Sequence, residues 1–122
     1  MYRIPANLDL TDLVGADLEQ ICLGGADVQF VFGTKATVAV QSRVSVFEND
    51  DLVAEWDEEE NWCSLSFQRL LNATVQGYRV INEQTLEIQF ADGLKLQLHD
   101  ESDQYESMQI YYAGDANGPI VI

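Results

Sequence analysis

The residues of this chain best suited to chemistry are carboxylates, and most of them come in two runs. Glu48 to Glu60 holds eight acidic residues and no basic one, and Asp100 to Glu106 holds four more. Inside the first run, "EWDEEENWC" (Glu55 to Cys63) sets Asp57, Glu58, Glu59 and Glu60 between Trp56 and Trp62. Carboxylates at such density can hold a cation, share a proton, or meet a basic protein. A calcium loop needs oxygen ligands at alternate positions and a glycine at its sharp turn; neither "ENDDLVAEWDEEE" nor "HDESDQYE" has that arrangement, so no metal site is expected.

Acid/base and nucleophilic chemistry has less to work with. His99 is the only histidine, and it ends the run "LKLQLH", where alternation sets it opposite Leu94, Leu96 and Leu98. That predicts a surface position at a strand end, with a pKa raised by neighbouring Asp100. No GxSxG elbow, glycine-rich phosphate loop or histidine ligand set accompanies it. No catalytic residue is assigned, and the chain reads as a non-enzyme without a cofactor. Cys22 and Cys63 stand alone in apolar surroundings without CxxC spacing, which predicts two buried thiols rather than a disulfide or a zinc site.

Charge and aromatics point instead to a protein partner. Twenty-one acidic against six basic residues give a net charge of -15, a field that repels nucleic-acid phosphates and anionic membranes and attracts a basic protein. In "YESMQIYYA" alternation puts Met108, Ile110 and Tyr112 on one face and Tyr105, Ser107, Gln109 and Tyr111 on the other, leaving a tyrosine-rich side to solvent. Tryptophan and tyrosine beside charge are typical interface anchors. The expected partner-binding set is Trp56, Asp57, Glu58, Glu59, Glu60, Asp100, Glu101, Asp103, Tyr105 and Tyr111, with charge raising the association rate and aromatics supplying affinity. The alternative is a small-ligand or cation-binding module inside a curled sheet.

These residues need a frame, and the chain repeats one. Residues 9–40 lie against 66–98 in pattern: Leu10, Leu13 and Val14 match Phe67, Leu70 and Leu71, the spacing of a short helix, with Asp9 and Ser66 as N-caps and Gly15 and Asn72 as left-handed stops. Leu18, Ile21 and Leu23 then answer to Val75, Tyr78 and Val80, with a three-residue first gap that predicts a β-bulge near Gln20 and Gly77. Two period-two runs follow in each copy, Val28, Phe30, Phe32 then Ala36, Val38, Val40, and Leu86, Ile88, Phe90 then Leu94, Leu96, Leu98, the second pair joined by the hairpin signal Asp92-Gly93. With 122 residues, 47% of them hydrophobic, the expectation is one domain with one core. Its class is mainly β (α+β): a duplicated helix-plus-β-meander unit forming a sandwich or partly open barrel with two short helices. No apolar run reaches the roughly 20 residues of a membrane span, and the start "MYRIPANLDL" lacks a signal-peptide layout, so the expected location is cytoplasmic.

Two stretches, "FADGLKLQLHDESDQYESMQI" (Phe90 to Ile110) and "LVGADLEQICLGGADVQFVF" (Leu13 to Phe32), carry a resemblance. They resemble small uncharacterised bacterial proteins encoded beside toxins in contact-dependent and polymorphic toxin systems; the step Tyr105, Glu106, Ser107 after an acidic turn is its best piece. The resemblance implies an immunity role, the stoichiometric inhibition of a cognate, basic toxin domain. Since neither acidic run forms a closed ligand set, millimolar calcium or magnesium at matched ionic strength is expected to leave the melting temperature almost unchanged. An ion-specific rise of several degrees in a thermal scan would restore the metal reading.

Overall fold

A computed structural model describes residues 2–57, 65–104, 106–112 and 118–122. Among these, ten strands alternate with short turns: β1 (Gln20–Leu23), β2 (Val28–Phe32), β3 (Ala36–Val40), β4 (Arg43–Glu48), β5 (Asp51–Trp56), β6 (Val75–Asn82), β7 (Thr85–Phe90), β8 (Leu94–His99), β9 (Met108–Tyr112) and β10 (Ile120–Val121). They form two antiparallel sheets in a sandwich-like, mainly β fold: sheet I in the order β1-β2-β3-β9-β10, and sheet II in the order β5-β4-β8-β7-β6. Neither sheet closes into a barrel.

The period-two runs became strands with the expected inward residues. Val28, Phe30, Phe32, Val38, Val40, Leu86, Ile88, Leu96 and Leu98 are all buried in one apolar cluster with Leu10, Leu13, Leu18 and Leu70. Gly15 (φ +90) and Asn72 (φ +67) take the left-handed conformation expected of them, as do Asp92 and Gly93 in the link between β7 and β8. Gly93 also admits a close approach: a Cβ there would lie 2.4 Å from Asn49 Oδ1, and the Asn49 N–H donates to the Gly93 carbonyl at 2.8 Å.

The two short α-helices are replaced by 3-10 turns at Thr11–Leu13 and Leu65–Leu70. In the first, the stop at Gly15 comes five residues after Leu10, so only short-range bonds form: the N–H of Leu13 reaches the carbonyl of Leu10, and that of Val14 the carbonyl of Thr11. A segment this short cannot offset the cost of an α-helical nucleus. In β6 a register shift between Val75 and Gly77 marks the expected bulge. At the start of β1 the Glu19 N–H donates to the Val31 carbonyl while Gln20 is in register with Val31, so two residues face one there too.

Adding five to each strand number, counting past ten back to one, turns the order of sheet I into that of sheet II. The hairpin β4-β5 leaves the first meander to pair with β8, and β9-β10 leaves the second to pair with β3. Where the halves cross, Asp17 bridges Thr74, flanked by reciprocal bonds: Gly15 N–H to Val75 O and Val75 N–H to Ala16 O, both at 2.8 Å, against Asn72 N–H to Leu18 O at 2.7 Å and Leu18 N–H to Ala73 O at 2.9 Å. Between the sheets Phe32 stacks on Phe90 with centroids 6.3 Å apart and planes 12° apart, and Phe30 stacks on Phe67 at 6.5 Å. Phe90→Ala is expected to cost about 3–5 kcal/mol in urea unfolding. A double-mutant cycle with Phe32→Ala should leave a coupling of about 0.5–1.5 kcal/mol, whereas strict additivity would mean that the two rings do not interact.

Candidate functional site

Pairing β4 with both β5 and β8 decides where the acidic residues go. The run from Glu48 is divided by β5: Glu48, Asp50 and Asp51 lie at the turn end of the β4-β5 hairpin, and Glu55 and Asp57 at the other. A six-residue strand separates the two groups by roughly 17 Å. The far end is where the second run begins, because Arg43 lies in register with His99. Its guanidinium donates to Glu101 through Nε and to Glu55 Oε2 through Nη1 at 3.2 Å. One arginine thereby brings the two runs together at one corner. Arg3 holds the next residues, donating to Asp103 Oδ1 at 2.9 Å and pairing with Asp100 Oδ2 at 3.2 Å.

At this corner Glu101, Asp103 and Glu55 are exposed and Asp57 is half-buried. Asp100 is not part of that surface and corrects the expectation: its side chain is fully buried. Burial pushes its pKa up, but the Ser107 hydroxyl and the Arg3 backbone and guanidinium donate to it, and together they hold it below the usual carboxylate range. It pins the N-terminal segment. Trp56 is a second correction, 2% exposed and level with Val44 on the inward face; it is a core residue and no surface anchor. A register shift in the β4-β5 pairing beside Val53 turns Ala54 and Trp56 inward although Leu52 stays exposed. Tyr111 is 43% exposed on the outward face of sheet I, whereas the arginine at the corner, Arg43, is on sheet II. Glu58, Glu59, Glu60, Trp62, Cys63 and Tyr105 lie outside the described residues.

His99 is on the outward face of sheet II, as alternation required, but it is 6% exposed. Its cover comes from neighbours across the sheet: Ser45 Oγ lies 3.1 Å from Nε2 and Thr85 Oγ1 lies 3.4 Å from Nδ1. The Ser45 hydroxyl also reaches Glu55 Oε2 at 3.3 Å. A consistent assignment has Nε2–H donating to Ser45, Ser45 to Glu55, and Thr85 to Nδ1. The order is carboxylate, serine, histidine, whereas an activated serine needs the histidine in the middle; Ser45, 2% exposed, is also closed to substrate. Next to it Glu87 accepts from Gln89 Nε2 at 2.9 Å, Gln97 Nε2 at 3.1 Å and Arg79 Nη2 at 3.3 Å. Burial raises its pKa, but these donors outweigh it and the net direction is down. Cys22, expected to be buried, is half-buried on the outward side of the edge strand β1.

The arginines were missed. The signal available was scarcity: in so acidic a chain five of the six basic residues, Arg3, Arg43, Arg69, Arg79 and Lys95, each pair with at least one carboxylate. Among the described residues there is no group of three or more histidine, cysteine or acidic residues that could hold a metal ion, and no helix long and apolar enough to cross a membrane.

Fold and site together define a class in physical terms: a two-sheet, mainly β protein with an acidic corner built on an arginine. No protein-family model matches the chain, and no curated protein or solved structure matches it either.

Burial lowers the pKa of His99 to about 4, Arg43 adding to the shift and Glu101 and Glu55 opposing it. The folded chain therefore binds fewer protons than the unfolded one between that value and the free histidine value near 6.5. The associated stability is present above pH 6.5 and lost as pH falls toward 4, by about 2 kcal/mol on reaching pH 5. Urea unfolding at pH 7 and pH 5 should show this loss, and His99→Gln should remove most of it. A variant that keeps the full slope would exclude His99 as its source, since the lowered carboxylates Glu87 and Asp100 act only at more acid pH.

Proposed function

We propose that the protein is an immunity-type inhibitor that binds and neutralises a cognate, basic bacterial toxin domain in the cytoplasm through its acidic surface. The observation that carries this reading is the meeting of Glu55, Asp57, Glu101 and Asp103 at one corner of a chain whose net charge is -15. Exposed ion pairs contribute only about 0–1 kcal/mol each, so this charge acts mainly on association rate and partner choice, and uncharged contacts must supply the affinity. The same reading takes the two meanders as one duplicated unit; the matching strand orders and the reciprocal bonds around Asp17 and Thr74 support it.

Replacing Glu58, Glu59 and Glu60, the residues that follow Asp57 in the sequence, together by glutamine removes three charges at nearly constant side-chain shape. Stopped-flow mixing with the purified basic partner should then show association about three- to tenfold slower at low salt, with a weaker dependence on salt and little change in dissociation. If the triple variant associates as fast as the parent, electrostatic steering by this segment is excluded.

A further inference from the structure

The two sheets turn very different faces to solvent. Outward from sheet II point Arg43, Glu55, Arg79, Glu87 and Lys95, and each has a partner of opposite charge, Lys95 reaching Asp50 at the hairpin turn. The outward residues of sheet I form two rows across its strands. One is Cys22, Gln29, Ala39, Gln109 and Val121, and the other is Gln20, Val31, Thr37 and Tyr111. None of these nine carries a charge, in a chain where 22% of residues do.

Charge returns at the border. The side-chain amide of Gln29 donates to Asp27 Oδ2 at 3.1 Å, and that of Gln109 donates to Glu106. Tyr111, the most exposed aromatic ring of the face, donates its hydroxyl to the Gln109 carbonyl oxygen. Gln29 and Gln109 flank Ala39 on the two neighbouring strands, and each amide holds a carboxylate at the border of the face. An uncharged centre bearing a tyrosine, ringed by oriented polar groups, is the anatomy of a protein interface.

We propose that the outward face of sheet I, centred on Ala39 and Tyr111, is the docking surface for a basic protein, whose lysine or arginine side chains meet Asp27 and Glu106 at its border. This rests on the reading above that the partner is basic, and it places the uncharged contacts that supply affinity on the other sheet from the acidic corner. Charge selects the occupant. A second copy of this chain docked through the same face would set like carboxylates against one another and join two chains of -15 each, whereas a basic partner turns the same border into attraction.

The test uses the intact chain, immobilised through an N-terminal tag, and as probe the protein it retains from a lysate of its native organism at low salt, identified by mass spectrometry and then purified. Affinity is measured for Ala39→Arg and Tyr111→Ala on the proposed face, and for Leu52→Arg, which makes the same charge change on exposed β5 beside the acidic run. Thr37→Arg replaces Ala39→Arg if the latter lowers the melting temperature by more than a few degrees. The expected result is a probe of net positive charge whose binding weakens at least tenfold in both face variants, mainly through faster dissociation, and less than threefold in Leu52→Arg. A basic probe that tolerates the face variants overturns the docking surface and leaves the basic-partner reading standing. A dimer in sedimentation that tightens with added salt and is lost in Ala39→Arg likewise overturns the docking surface alone, and retention of no basic protein overturns both.

Discussion

Everything in this fold depends on closing the open edge left by each meander. The strands β3 and β8 each end a three-stranded run with one row of backbone N–H and carbonyl groups unpaired, an arrangement that invites aggregation if left exposed. Each edge is closed by a hairpin from the other half of the chain, β9-β10 on β3 and β4-β5 on β8. The exchange makes the core common property: Trp56 reaches it from one hairpin, and Ile110 and Ile122 reach it from or beside the other. It also creates both candidate surfaces, since Arg43 meets Glu101 only because β4 lies on β8, and Ala39 gains Gln109 beside it only because β9 lies on β3.

Few basic residues must then serve many carboxylates, and burial decides what each pair is worth. Arg43 with Glu55 and Glu101 is a partly exposed group whose energy water and salt largely screen. Such charges cost little to hold in place and remain available to a partner. Asp100 differs, because its carboxylate is buried and its bonds to Arg3 and Ser107 replace lost hydration; removing those donors would strand a charge in the interior. Glu87 is held in a similar way among glutamine amides on the outward side of sheet II. That sheet therefore carries charges that are paired on it or beside it, and the strands of sheet I carry none.

Much of the frame was legible in the sequence, for local reasons. Runs such as Val28, Phe30, Phe32 and Leu86, Ile88, Phe90 place apolar groups every second residue, and burial of one strand face follows from that period alone. Gly15, Asn72, Asp92 and Gly93 mark left-handed positions because few other residue types tolerate them. The helical spacing at Leu10, Leu13 and Val14 misled, since the same spacing suits a single 3-10 turn and only segment length separates the two. At the candidate site the sequence was a weaker guide: the acidic runs were plain, yet Trp56, expected as an aromatic anchor, and Asp100, expected on the acidic surface, are interior.

What the sequence determined by itself was the class of fold, the inward faces of its strands, the turn positions and the sign of its charge, each a property of neighbours within a few residues. Only the tertiary structure decided which strands pair across the halves, and with that which end of β5 meets Glu101, that His99 is covered by Ser45 and Thr85, and that the outward rows of sheet I contain no charge. The reason is the reach of the interactions involved. Alternation and backbone sterics act along the chain, whereas a hydrogen bond from Arg43 to a carboxylate 58 residues away or the neutrality of a face assembled from β1, β2, β3, β9 and β10 exists only once distant strands lie side by side.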